Sequence, residues 1–328
     1  MTRARTIAVV RIVVAVAVVV ALVWGVARNW TQISQDLQRV SLRDLLLSFV
    51  PAAVGTWLTM LGWRVVLADL GSPLHLAPAS GVWFVGQLGK YLPGSVWTVL
   101  VQADMASHLH VPRRRTGVAS LVTIGLSVLT GLIVGAPSIP LLLQQPDSRA
   151  IAWVALGIPL LAVLCYPPIL DRIIGRGLRM LRQEPLEKKL SGRAILVSVV
   201  VFCVAWLCFG VHILVLANAV GAEPSGTLTV AALTGFALSG ALSMVTIILP
   251  AGLGAREGLL TLVLASAMPV SAGTAVALVS RFVVTLVDVL AAAGGWAYAR
   301  RHHLVTSREE REHPTDEPAP GETVAGEP

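Results

Sequence analysis

The chain has 328 residues, of which 55% are hydrophobic and only 13% charged, with a formal net charge of +7 and a mean hydropathy of +0.77. This balance excludes an ordinary soluble globular protein and points to an all-α membrane protein that crosses the bilayer many times. The bases do not form a nucleic-acid surface: they cluster at the ends of apolar runs, where they set topology, with anionic-lipid contact secondary.

In chain order, residues 7–27 read as the first span, preceded by Arg3 and Arg5 and followed by Arg28. The run is long for the apolar part of a cleaved signal, so a retained helix with a cytoplasmic N-terminus is expected. Residues 28–44 are polar, and Asp36, Leu37, Val40 and Leu45 hint at a short interfacial helix. Residues 45–66 form a second span ending near Arg64 and Asp69. Leu76 to Leu92 and Val96 to about His108 are each short for a crossing, which needs about 20 apolar residues, and proline and glycine at Leu92-Pro93-Gly94 break the helix between them. A re-entrant hairpin fits this pattern, since irregular backbone at membrane depth must be enclosed by protein or line a water-filled cavity.

Arg113, Arg114 and Arg115 mark a cytoplasmic turn before a span over 116–135, an external loop from Pro137 to Arg149 and a returning span over 150–170. Residues 171–193 carry Arg172, Arg176, Arg179, Arg182, Lys188, Lys189 and Arg193, the most basic loop, expected in the cytoplasm. A span over 194–217 follows, then a second interrupted region, Thr227 to Leu249 and about Ala255 to Ala267, broken at Pro250-Ala251-Gly252. The last span, 272–299, stops at Arg300 and Arg301, and the Glu-, Pro- and Gly-rich segment to Pro328 is expected to be a disordered cytoplasmic tail. The expectation is about six full spans plus two broken hairpins, eight if the hairpins count as spans, in a membrane domain of residues 1–299.

The two interrupted regions look related. Pro112 follows Pro93 at the interval by which Pro269 follows Pro250, and each hairpin sits between two spans. The halves 45–135 and 194–299 then form a repeat, inverted by the charge rule, and inverted repeats with broken helices are a transporter architecture.

The chemistry-bearing residues lie at these breaks and on the last span. Lys90 precedes the first break, Arg256 and Glu257 follow the second, and Arg281 and Asp288 lie seven residues apart on one helix face. One reading makes Arg256, Glu257, Arg281 and Asp288 structural bridges between helices. The other makes Lys90, Arg256 and Arg281 a cationic spot for an anionic headgroup, with Glu257 and Asp288 holding the arginines, because the arginine fork suits phosphate. Three cations exceed what two carboxylates neutralise, and surplus charge in lipid is costly. Backbone N–H groups of half-helices starting after the breaks would add donors.

Asp104, His108 and His110 lead into a basic turn and read as a polar helix end rather than a metal site. His212 reads as a helix–helix hydrogen bonder, Trp30, Trp83, Trp97 and Trp296 as interfacial belts, and Cys165, Cys203 and Cys208 as small apolar residues. There is no P-loop, nucleophile elbow, HExxH or Rossmann fingerprint, so neither a cofactor nor an enzymatic activity is expected.

Gly86, Gly89, Lys90, Tyr91, Pro93 and Gly94 fit a G-x-x-G-[KR]-Y-x-P-G pattern, and Pro250, Gly252, Leu253, Gly254, Arg256, Glu257 and Gly258 fit P-x-G-[LI]-G-x-R-E-G. Through these motifs the chain resembles the flippase-like membrane domain of lysylphosphatidylglycerol synthases, over roughly residues 10 to 300. The resemblance implies handling of a lipid or lipid-linked glycan, and the candidate substrate-binding residues are Lys90, Tyr91, Arg256 and Glu257 in the motifs together with Arg281 and Asp288, read from their charge on the last span. Gly89, Pro93, Gly94, Pro250, Gly252 and Gly254 are the candidate helix breaks. In the synthases an aminoacyltransferase domain follows the membrane part; here only the acidic tail does, so that activity is not expected to carry over. The leading expectation is a lipid flippase of the cytoplasmic membrane. The alternatives are a non-transporting partner of a separate lipid-modifying or glycosyltransferase enzyme and, last, an intramembrane transferase using Glu257 and Asp288 as bases.

Overall fold

A computed structural model describes residue 27 and residues 30–91, 96–143, 159–180, 183–184, 186–245 and 254–301. Nearly all of the expected 7–27 span, half of the 150–170 span, the tail beyond 301 and the break residues Pro93, Gly94, Pro250 and Gly252 lie outside the described residues. Among the described residues there are helices and no strands. In chain order they are α1 (Trp30–Gln38), α2 (Leu42–Asp69), α3 (Leu76–Gln87, extended by a 3-10 turn Leu88–Tyr91), α4 (Trp97–Ser107), α5 (Arg113–Gly135), α6 (Ile139–Leu143), α7 (Pro167–Met180), α8 (Gly192–Ala219), α9 (Gly226–Val245), α10 (Ala255–Leu264) and α11 (Val270–Arg301). Five stretches are long and apolar enough to cross a membrane: α2, Arg113–Leu143, α8, Gly226–Met244 and Val270–Ala297. The protein is a multi-pass membrane protein, and its exposed apolar stripes, Leu46, Val50, Val54 and Trp57 on α2 and Leu196, Val200, Val204 and Leu207 on α8, are faces suited to lipid.

The halves are built to one plan. α2 and α8 each have 28 residues, and each opens on a serine, Ser41 or Ser191, whose hydroxyl accepts the backbone N–H of the third residue on. Such a cap satisfies one of the helix's orphan donors. Gly71 follows Ser41 by thirty residues and Gly221 follows Ser191 by the same thirty. Both glycines stop the chain in the left-handed region, at φ 95° and 87°, which side chains other than glycine rarely adopt.

These equivalent helices lie side by side and run in opposite directions. At one end an Arg39 Nη1 donates to the Val220 carbonyl at 3.2 Å; at the other the Ser191 N–H donates to Asp69 Oδ2 at 2.6 Å. Between them His212 Nδ1 lies 3.0 Å from the Ser48 carbonyl, and Ser198 Oγ donates to the Gly62 carbonyl at 3.2 Å. Equivalent helices that run antiparallel belong to copies inverted relative to each other, so the repeat is an inverted one.

The other helices are exchanged between the halves. α3 packs on α11, where a Cβ at Gly295 would stand 3.2 Å from Gly81 Cα. α9 packs on α5, where Gly135 meets the Leu238 backbone and the Ser138 and Thr234 hydroxyls are 2.6 Å apart. Small residues at these crossings let backbones approach, which is how helices associate where lipid removes the hydrophobic driving force. Each half's hairpin is therefore held by the other half's last span.

Several expectations need correction. The segment expected as an external loop after Pro137 is helical as far as Leu143, because Ile139 and Leu142 are buried in the core shared with α8 and α9. The returning span does not reach residue 170: helical residues 159–164 end at Cys165-Tyr166, and Pro167, suited to a helix start, opens α7. The basic 171–193 loop is thus helical up to Met180. Trp83 is no belt residue. It is 5% exposed and its ring centroid lies 5.4 Å from that of Trp63. The second hairpin's first arm, with 20 residues, is long enough to cross, unlike the 12-residue α3.

Candidate functional site

The site is organised on α11, where Arg281, Thr285 and Asp288 follow one another at helical spacing on one face. The first hairpin reaches this face just before its break. Glycine at position 89 brings its two arms together: a Cβ there would lie 2.6 Å from the Thr98 backbone nitrogen. The 3-10 turn that follows delivers Lys90 and Tyr91 to α11. Lys90 Nζ is 2.6 Å from Asp288 Oδ2, and the Tyr91 hydroxyl donates to the same oxygen at 2.7 Å. Tyr91 also lies 3.5 Å from the Thr285 hydroxyl. Asp288 is only 5% exposed, so its charge depends on these donors.

The second hairpin reaches the same face just after its break. Gly254, at φ 87°, opens α10, and its N–H donates to Glu257 Oε2 at 2.7 Å. The other carboxylate oxygen, Oε1, accepts from Arg281 Nη1 at 3.0 Å. One carboxylate thus caps a half-helix and ties it to α11. Adjacent to it in sequence, Arg256 points elsewhere, as neighbours on a helix must. Its guanidinium lies 4.2 Å from the centroid of the Phe236 ring, and it makes no ion pair with a described residue. Phe236 is buried and stacks on Phe209 at 4.9 Å, with the edge of buried His212 close by.

The structure therefore brings Lys90, Tyr91 and Asp288 together, and Glu257 with Arg281, while Arg256 rests on an aromatic face. The pairing differs in one respect from the expected one: Asp288 is held by Lys90 and Tyr91 of the other half, not by an arginine. The two tips meet the same helix two turns apart. Two participants escape the sequence reading. Thr285 was legible, since it falls between Arg281 and Asp288 on their own face. Phe236 was not, because only the packing of α9 against α10 brings it beneath Arg256. His212 bonds as expected, to the Ser48 carbonyl and to Ser280 Oγ, both at 3.0 Å. Asp104 pairs with Arg113 at 2.6 Å, and among the described residues no three His, Cys, Asp or Glu side chains are grouped to hold a metal.

Apart from Arg39 and Arg43, near the start of α2, the paired bases away from the site share one end of the bundle. Arg114 pairs with Glu184 and Glu187, and Arg115 pairs with Glu187 while donating to the Gly71 carbonyl and Ser72. The close approach of Gly295 to Gly81 places the last turns of α11, with Arg300 and Arg301, beside the start of α3 at that same end.

A search among curated proteins finds no match to the chain. A family model described as lysylphosphatidylglycerol synthase TM region matches residues 9–292, a stretch containing both hairpins and all six charged or tyrosine residues of the site, and the chain belongs to that family.

Proposed function

We propose that the protein moves, or helps move, an anionic lipid or lipid-linked glycan across a cytoplasmic membrane, with Arg256 as the receiving group for the headgroup. The observation that supports this most is the charge balance of the site. Lys90 and Arg281 each have a carboxylate at bonding distance, whereas Arg256 has an aromatic face and no carboxylate among the described residues. A guanidinium attracted to an aromatic face keeps its N–H donors available, and its planar fork suits two phosphate oxygens at once. A net positive charge at membrane depth is relieved by water or by an anionic ligand. The first hairpin is read as re-entrant and the second as entering from the opposite side through an arm long enough to cross, and their tips and the headgroup meet on α11. The termini and the basic end of the bundle are assigned to the cytoplasm. The lipid is carried without chemical change; a separate lipid-modifying or glycosyltransferase enzyme would supply it.

The test is transport by the full chain in liposomes carrying headgroup-labelled phosphatidylglycerol or phosphatidylcholine. Faster exchange of the anionic lipid, lost in Arg256→Gln with less thermal destabilisation than Arg281→Gln causes, is the expected result. Exchange at the rate of protein-free liposomes for lipids and lipid-linked glycans alike would end the transport reading in favour of a non-transporting partner.

A further inference from the structure

Beyond the site, α7 carries a surface that the transport reading does not use. One face of this helix is fixed to the protein: Leu178 is buried, and Leu170 and Ile174 pack against the core of the first half. Arg172, Arg176 and Arg179 follow at helical spacing on the far side, all exposed, and none forms an ion pair with a described residue. Between the arginines and the buried face runs a third strip, Ile169, Ile173 and Met180, with Ile173 44% and Met180 86% exposed. A helix with only water beside it has no reason to present such an apolar strip next to a basic one. Lying along a bilayer surface, it would place the apolar strip among the acyl chains and the arginines among the headgroups.

What precedes α7 sets its depth. Helical residues 159–164 expose Leu160, Val163 and Leu164, an apolar face suited to lipid. The chain then turns at Cys165 and Tyr166, the tyrosine more than half exposed as interfacial aromatics are, and Pro167 starts α7. The helix therefore begins where the apolar surface ends. It also lies at the basic end of the bundle, its core including Leu190 and Ala194 at the start of α8.

We infer that α7 is a membrane-surface helix that binds anionic lipid headgroups through Arg172, Arg176 and Arg179 and collects such lipids at one rim of the protein. Its occupant is the bilayer itself, chosen by charge: three arginines face outward against a single carboxylate, Asp171, in the helix. The inference needs the protein to sit in a membrane and is independent of whether it transports.

The test uses the full chain with Cys165, Cys203 and Cys208 replaced and an environment-sensitive fluorophore on Met180→Cys, in phosphatidylcholine nanodiscs with or without phosphatidylglycerol. Blue-shifted emission, quenched by headgroup-proximal spin-labelled lipid and strengthened by phosphatidylglycerol, is expected. The attraction of a basic residue to an anionic surface corresponds to about fivefold per charge, so changing all three arginines to Gln should abolish the preference for phosphatidylglycerol. Changing all three to Lys should keep it. Raising salt on the unmodified arginines should weaken it, which tests the charge dependence even where the glutamine variant folds poorly. Water-like emission in both nanodiscs, as a surface reserved for an acidic protein would give, overturns the inference. So does burial that is equal in the two nanodiscs and indifferent to salt.

Discussion

Lys90 Nζ and Asp288 Oδ2 lie 2.6 Å apart although they belong to opposite halves of the repeat, one at the tip of the first hairpin and the other on the last helix. The pair fastens the 3-10 turn Leu88–Tyr91, at the end of a 12-residue helix, to the 32-residue α11. Its carboxylate is buried while the lysine is about one-third exposed, so removing the lysine strands a charge that water does not reach.

Lys90→Met is accordingly expected to lower stability in detergent by about 3 kcal/mol, the typical cost of an uncompensated buried charge. The double variant Lys90→Met/Asp288→Leu should recover most of that loss, because neither charge remains. Thermal unfolding of both variants and of Asp288→Leu completes the cycle. A double variant with the summed loss of the two single ones would show that the pair is not coupled.

Arg281 and Arg256 should separate structure from binding. Arg281→Gln leaves Glu257 without its cation beside a helix start and should cost about 3 kcal/mol. Arg256→Gln removes a group with no ion-pair partner among the described residues, so stability should fall by no more than about 2 kcal/mol, the size of a desolvated cation–π contact, while affinity for phosphatidylglycerol falls. Unfolding curves and lipid binding measured on the same samples decide it. Equal destabilisation by the two changes would make Arg256 another strut.

Glycine at the hairpin should act through backbone contact. A methyl at Gly89 would stand 2.6 Å from the Thr98 nitrogen, a main-chain atom that cannot swing aside, so Gly89→Ala should cost about 1–3 kcal/mol and reduce activity. Gly258, inside α10, has nothing among the described residues within 4 Å of that position. Gly258→Ala should therefore be neutral, or stabilising by up to about 1 kcal/mol through helix propensity. Expression and melting temperature compare them directly.

Topology is testable at Lys189, which is exposed at the basic end of the bundle. After replacement of the three native cysteines, a probe on Lys189→Cys should react with impermeant reagent only from the cytoplasmic side. Labelling from outside would invert the assignment of every basic cluster, since Arg114 and Arg115 are bonded to this segment.

The charged residues were legible because a lysine or an arginine in an apolar run has so few bland explanations. The matching of the halves has its plainest sign in serine and glycine thirty residues apart, at Ser41 and Gly71 and again at Ser191 and Gly221, a spacing that a search for charges and prolines passes by. Which charge meets which was not legible, because a helix face offers several partners and only the crossing of α3 over α11 selects Lys90 for Asp288. The helix α7 was hidden for another reason. Charge counting treats 171–193 as one basic loop, whereas the inward residues Leu170, Ile174 and Leu178 recur at the helical period.

The antiparallel contact of α2 with α8 has a further meaning. Because the two helices match in length and cap and run antiparallel, the surface each presents is complementary to a near copy of itself, as at the isologous interface of a symmetric dimer. A half-length chain inserting in both orientations would build the same seam between two molecules. Fusion into one chain frees the halves to diverge, and the charges record that divergence. Arg256 and Glu257 follow the break in one hairpin, Val99 and Leu100 in the other. The scaffold repeats while its chemistry does not: Lys90 and Tyr91 precede one break, and Arg256 and Glu257 follow the other.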